Sequence, residues 1–358
     1  MNYRTVKIHS RETFTSDTTK VIDINVKDII SSLVIKVEGT HTGAVMQLHP
    51  VSVLTDIQLV DGSDVLYSLD GYEAESVDWY NRGGKFRSNY NYACTAGTWT
   101  RFIGINFGRY LYDPVLAFDP GRFNNPQLKI SLDIDAWSAT GSTVYITVYA
   151  NVFDEKIPDA QGFLMTKEIK QWTMASSTHE YTDLPTDYPY RAIYHRAYLA
   201  GTEPNASLSN FKLSIDQDKK IPVDLGAHEL NSNLMEMYPA VEEEWFYSLN
   251  TSNRYLYCAP TTRVKAVGAV WATTAVAQDA AFYNGDGGRL NTIAADNPSN
   301  TQVFIKGYVP HCTYQIPLGL LDDINDWYDP RGVGSFIADI TGGAAAQGFL
   351  FIQQLRNY

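Results

Sequence analysis

An all-β chain arranged as two tandem β-sandwiches is predicted by three observations. Apolar and polar residues alternate with a period of two, helical periodicity is rare, and two stretches recur in the same order. Alternation places every second side chain on one face, as a half-buried strand requires.

The clearest strand is LKISLDID (Leu128–Asp135), with Leu128, Ile130, Leu132 and Ile134 on one face. FKLSID (Phe211–Asp216) reads the same way. VIDINV (from Val21), LVIKVEG (from Leu33), STVYITVYANVF (from Ser142), RVKAVGAVW (from Arg263), QVFIKGYV (from Gln302) and GFLFIQQL (from Gly348) are further strands. Their Val, Ile, Tyr and Phe suit a pleated surface, and Gly, Asn, Asp and Pro punctuate them. Helices are few. DGYEAESVDWYN (Asp70–Asn81) carries Asp70 and Glu73 at capping-box spacing. GAHELNSNLMEMYP aligns Leu230, Leu234 and Met237 and stops at Pro239. A third short helix is expected over Lys167–Met174.

Strand, acidic turn, short apolar run and helix occur in order from Ile57 to Tyr80 and again from Phe211 to Tyr238. A second pair, Ile105–Asp135 and Ile316–Gly343, shares an apolar–x–apolar–Gly start, an Asp-Pro and an alternating strand. The offsets are 154 residues (57 to 211) and 211 residues (105 to 316), so the second copy holds about 57 extra residues. The expected organisation is an N-terminal arm over 1–20, a first unit over 21–155, a Pro-containing linker over 156–191, and a second unit over 192–358 with an insertion within 240–315. Ile57 should overlay Phe211, and Gly108 should overlay Gly319.

Composition narrows the function. Aromatics make up 13% of the 358 residues, which excludes a disordered chain, a collagen and a coiled coil. Forty Asp and Glu against 28 Lys and Arg give a net charge of −12, which argues against a whole-surface or sequence-specific nucleic-acid binder. Cys94, Cys258 and Cys312 are too few for a disulfide framework, so free thiols in a reducing compartment are expected. The N-terminus lacks the apolar core of a secretory signal, so the sequons at Asn205 and Asn250 carry little weight. No stretch of about 18 apolar residues is present to form a spanning helix.

No motif supplies catalysis. G-x-S-x-G, G-x-G-x-x-G and the P-loop are absent, and YNGDGGRLN (Tyr283–Asn291) lacks the strand–helix context of a phosphate cradle. The seven His show no metal-ligand spacing, and adjacent His311 and Cys312 read as a strand end rather than a zinc site. Asp322, Asp323, Asp326 and Asp329 could serve a glycosidase or Ca²⁺. Because Asp113-Pro114 recurs at the repeat-equivalent turn, a structural turn is favoured. No catalytic, cofactor or metal residue is therefore expected. Glu242–Glu244 lie in a stretch, Ile221 to Asn253, with six acidic residues and no Lys or Arg; it suits a solvated face or an inter-subunit contact. Arg4, Lys7 and Arg11 make residues 1–20 net positive, a candidate assembly arm.

These features resemble the double jelly-roll major capsid proteins of tailless icosahedral phages and of viruses with adenovirus-hexon-like shells. Tyr314–Tyr358 carries the resemblance most strongly. It implies two eight-stranded jelly rolls with a few short helices, and a homotrimer forming a pseudo-hexagonal capsomer. It also implies a virion location after synthesis in the host cytoplasm. The implied partners are neighbouring capsomers, penton or minor capsid proteins, and an inner membrane or genome beneath the shell. The alternative is a jelly-roll carbohydrate-binding or carbohydrate-cleaving protein, against which the missing secretion signal stands.

Overall fold

Strands form where the alternation lies, and the long-range pairings arrange them into repeated sheets. The computed structural model describes residues 1–40, 46–93, 97–138, 143–248, 254–271, 281–283, 285–293 and 300–358. The first half runs β1 (Tyr3–Phe14), β2 (Thr18–Asp23), β3 (Ile30–Thr40), β4 (Leu54–Asp61), β5 (Asp64–Leu69), α1 (Gly71–Asn81), β6 (Tyr90–Ala93), β7 (Thr98–Asn106), β8 (Pro126–Leu132) and β9 (Thr143–Phe153). Next come β10 (Gly162–Thr173), β11 (His179–Asp183), β12 (Tyr190–Tyr198), α2 (Pro204–Ser207), β13 (Leu208–Ile215), β14 (Lys220–Gly226) and α3 (Ala227–Met237). The chain then forms β15 (Val241–Ser248), β16 (Arg254–Tyr257), β17 (Pro260–Trp271), β18 (Ala281–Tyr283), β19 (Arg289–Ile293) and β20 (Asn300–Pro310). It ends with β21 (Thr313–Pro317), β22 (Phe336–Gly342) and β23 (Gln347–Asn357).

In the first unit the sheet orders are β1-β9-β3-β7 and β2-β8-β4-β5. In the second they are β10-β23-β12-β21 and β11-β22-β13-β14. Counting eight framework strands in each unit, both give 1-8-3-6 and 2-7-4-5, the two facing sheets of a jelly roll. Ile57 and Phe211 both lie on framework strand four and are fully buried. The units join where β5 pairs with β10 in parallel, Tyr67 opposite Thr166, which fuses two sheets into one of eight strands. One continuous apolar core runs through both units.

Gly108 and Gly319 follow strand six of their units, as the repeat predicts. A Cβ on Gly108 would lie 2.6 Å from Leu116 O, and one on Gly319 would lie 2.2 Å from Asp326 O. Gly319 also has φ +113°, a region that favours glycine. The next backbone N–H in each turn donates to a carboxylate: Arg109 N to Asp113 (3.2 Å) and Leu320 N to Asp326 (2.6 Å). The partner of Asp113 is thus Asp326 rather than the Asp of the second Asp-Pro. The two turns touch, with Arg109 Nη1 donating to Asp322 O (2.7 Å).

Several expectations are corrected. Residues 3–14 are not an arm but β1, paired with β9 from Tyr3↔Phe153 to Phe14↔Val144. Residues 156–191 are not a linker alone: β10 and β11 lie within them, and Pro158, Pro185 and Pro189 fall between strands rather than inside one. The helix expected over Lys167–Met174 is the end of β10, because pairing with β23 outweighs a weak local helical pattern. The capping box holds as read, with Glu73 N donating to Asp70 (2.7 Å) and Asp70 N to Glu73 (3.1 Å). Leu230 and Leu234 of α3 are buried, whereas Met237 is exposed. The insertion, expected as a loop or small hairpin layer on the second unit only, is a strand-bearing layer: β17-β20-β15-β6 form one sheet and β16-β19-β18 another. It is shared by both halves, since β6 comes from the first and pairs with β15 in parallel.

Candidate functional site

Six polar side chains from distant segments meet at the junction between the first unit and this layer. His49 precedes a 3-10 turn (Pro50–Val53), Glu75 lies on α1, Asn91 on β6, Arg101 on β7, Glu243 on β15, and His311 between β20 and β21. All six are buried. Arg101 links the two glutamates, with Nε 2.8 Å from Glu75 Oε1 and Nη1 3.0 Å from Glu243 Oε1. Asn91 Nδ2 (2.6 Å) and Ala259 N (2.8 Å) also donate to Glu243. Val51 N donates to His49 Nδ1 (3.4 Å), so the ring proton sits on Nε2 and faces Glu243 Oε1 at 3.0 Å. His311 Nε2 lies 2.7 Å from Glu75 Oε2.

The electrostatics follow from this geometry. Burial alone would raise Glu243, but His49, Arg101 and the Ala259 N–H outweigh it and hold the carboxyl at about 2. Glu75 is likewise lowered: burial opposes, and Arg101 and His311 prevail. Burial pushes His311 down to about 4, against its bond to Glu75. His195 on β12, fully buried with Nδ1 3.0 Å from Phe349 O, is also lowered to about 4 by burial. A histidine kept neutral in the fold is protonated in the unfolded chain below its ordinary pKa of about 6.5. The unfolded state then binds more protons, so this contribution is lost as pH falls from about 6.5 to 4. Part-buried Asp70, buried Glu73 and half-buried Glu168, all raised chiefly by burial, work in the opposite direction. The expected outcome is a lower midpoint of thermal unfolding at pH 4.5 than at pH 7. His195→Gln should reduce that difference; an equal difference in the variant would remove His195 from the effect.

His49, Glu75 and His311 place three ligand-type atoms within 4.8 Å of one another. They do not suit a metal ion. The Val51 N–H occupies His49 Nδ1 and fixes a hydrogen on the one nitrogen that would bind, while Arg101 lies on the carboxylates. What the cluster can do is tie the inserted layer to the first unit.

The structure brings none of the sequence-predicted site residues into this cluster except Glu243 and His311. Cys258 and Cys312 are buried free thiols, both pushed up by burial; Cys94 lies outside the described residues. Asp323 caps its own turn through Asn325 N (3.0 Å), Asp326 accepts from Leu320 N, and Asp329 pairs with Arg331. These three carboxylates each accept from a backbone N–H of their own turn. The acidic run does find bases within its own chain: Glu242 pairs with Lys306 (2.7 Å) and Glu243 with Arg101. Arg4 pairs with Asp28 and Asp154, Lys7 lies 6.0 Å over the Tyr149 ring, and Arg11 pairs with Glu38 and stacks 3.5 Å over Tyr145. All three basic residues are held on a strand of the first unit. Sequence reasoning missed His49, Glu75, Asn91 and Arg101, which have no spacing motif.

No protein-family profile and no curated protein matches the sequence. Solved structures do. The STIV MCP, from Sulfolobus Turreted Icosahedral Virus, aligns with TM-score 0.63 at 12% identity, covering 100% of this chain and 98% of that one. The major capsid protein P2 of bacteriophage PM2 aligns with TM-score 0.57 at 10% identity over 99% and 98% of the two chains. The PBCV-1 virus capsid aligns with TM-score 0.56 at 10% identity over 99% and 94%. With both units carrying the same strand orders, the chain has the double jelly-roll fold of these viral capsid proteins over its whole length.

Proposed function

We propose that this chain is a structural subunit of an icosahedral virion: a major capsid protein that assembles as a homotrimer into pseudo-hexagonal capsomers. The observation that carries the reading is the repetition of one jelly roll, side by side with its copy through the β5–β10 pair. Three such chains give six sandwiches, the number a hexagonal tile needs. The whole-length likeness to capsid proteins supports it. In this reading the chain turns over no substrate and needs no cofactor. Its partners are neighbouring capsomers, penton or minor capsid proteins, and the membrane or genome beneath the shell. The buried seam serves rigidity, and Arg4, Lys7 and Arg11 stiffen β1 rather than reach a neighbour.

Sedimentation of the purified protein tests the proposal. A trimer or larger closed assembly at micromolar concentration is expected; a stable monomer would overturn it. Permanent assemblies of this kind bury upward of about 2,000 Å² per interface.

A further inference from the structure

The join between the two units leaves two strand edges open. It pairs framework strand five of the first unit, β5, with framework strand one of the second, β10, in parallel, Tyr67 opposite Thr166 and Ser68 opposite Lys167. Their counterparts are β1, strand one of the first unit, and β14, strand five of the second. Each of these stands at the end of its sheet, with no second strand beside it among the described residues. Burial records the difference. Residues 162–166 of β10 are all buried, whereas residues 3–7 of β1 are half-buried or exposed. On β5 Leu66, Tyr67 and Leu69 are buried; on β14 Val223 and Leu225 are half-buried and Ile221 is 43% exposed. The counterparts also match in detail. β1 and β10 are both 12 residues long, and in each the register shifts after the seventh residue, His9 or Glu168. Thr166 therefore corresponds to Lys7. Ile57 pairs with Leu69 and Phe211 with Leu225, so Tyr67, two residues before Leu69, corresponds to Val223.

We infer that β1 of one chain meets β14 of the next, repeating between copies the β5–β10 join made within each, with Lys7 opposite Val223. The inference rests on the capsomer reading above and names the two surfaces that build it. The contact is heterologous: strand one at one end of a chain meets strand five at the other end of its neighbour, so no surface meets itself. Such head-to-tail contacts close into rings when the rotation allows. Repeating the internal join keeps one rotation from sandwich to sandwich, within chains and between them, as a ring of three chains and six sandwiches needs. An open strand edge is a ready template for a further strand, and backbone hydrogen bonds supply much of the contact. Pro222, which has no N–H to give, precedes the stretch concerned and leaves Val223 and Asp224 free to pair. Arg4 and Arg11 keep their ionic partners within the first unit, so what β1 offers its neighbour is its backbone edge.

The test uses the full-length protein. Lys7→Cys combined with Val223→Cys in one chain, under mild oxidation, should give covalent dimers and trimers on a denaturing gel, well above the parent run alongside. Lys7→Cys alone and Val223→Cys alone should give no more than the parent, because each thiol then faces a residue that cannot bond it. Single variants that cross-link to themselves would mean a two-fold contact and overturn the inference. A double variant that stays uncross-linked, while the parent sediments as a trimer, would overturn it too and leave the capsomer reading standing. A parent protein that is itself monomeric would overturn both. Backbone hydrogen exchange of the parent gives a readout that needs no variant to fold. Amides in residues 3–7 and 223–225 should exchange at least tenfold more slowly in the assembly than in protein diluted to monomers. Equal rates in the two states would mean that both edges stay open, which also overturns the inference.

Discussion

Replacing Arg101 by Met is expected to lower the unfolding free energy by about 3–5 kcal/mol, because it leaves two buried carboxylates without their shared cation. Arg101 is fully buried and is the one permanent positive charge among the described residues that is bonded to both Glu75 and Glu243. His311, whose Nε2 faces Glu75, would then gain a proton more readily, so the loss should shrink as pH falls towards 5. The double variant Arg101→Met with Glu243→Gln should recover part of the stability, since one of the two stranded charges is gone. Chemical denaturation at pH 7 and pH 5 measures both effects. A single variant within about 1 kcal/mol of the parent would mean that water reaches the seam and that the network does not tie the inserted layer to the first unit.

Removal of residues 2–15 is expected to abolish soluble protein. β1 contributes a whole strand to the sheet β1-β9-β3-β7, pairing with β9 along its length. Its loss would bare one side of β9, take Phe14, Val6 and Ile8 away from the core they pack on, and turn β9 into an unprotected edge. By contrast, Arg4→Ala with Lys7→Ala and Arg11→Ala should leave the protein folded. The pairs removed are part-exposed, and such pairs contribute about 0–1 kcal/mol each. Expression of the truncated and triple-substituted chains, followed by sedimentation, separates the two cases. Soluble, folded truncated protein would mean that β1 is dispensable.

These two regions show what the sequence makes legible. Strands whose one face is buried and whose ends carry turn residues, such as Leu128–Leu132, announce themselves through alternation alone. The repeat also survives, because framework strands four and five and the helix that follows strand five keep their order in both units. β1 was hidden for a physical reason. It is an edge strand that remains part-exposed on both faces, so its composition resembles a tail. β10 was hidden because Ile169 and Trp172, three apart within Lys167–Met174, fit a helical spacing locally, and only pairing with β23 decides otherwise. The seam is less legible still. Its carboxylates sit on α1 and in an acidic run, where they read as solvated. Their partners lie far off in sequence, His311 being 236 residues from Glu75. Burial turns Glu243 from a surface charge into a structural one, and burial is a property of the whole fold rather than of the local segment.

The central claim, that one chain supplies two of the six sandwiches of a capsid tile, is tested most directly by electron micrographs of the purified protein. The account predicts particles with threefold symmetry and a six-lobed outline, each pair of lobes matching one chain, either free or packed into shells. Single two-lobed particles at micromolar concentration, or assemblies lacking a threefold axis, would contradict it.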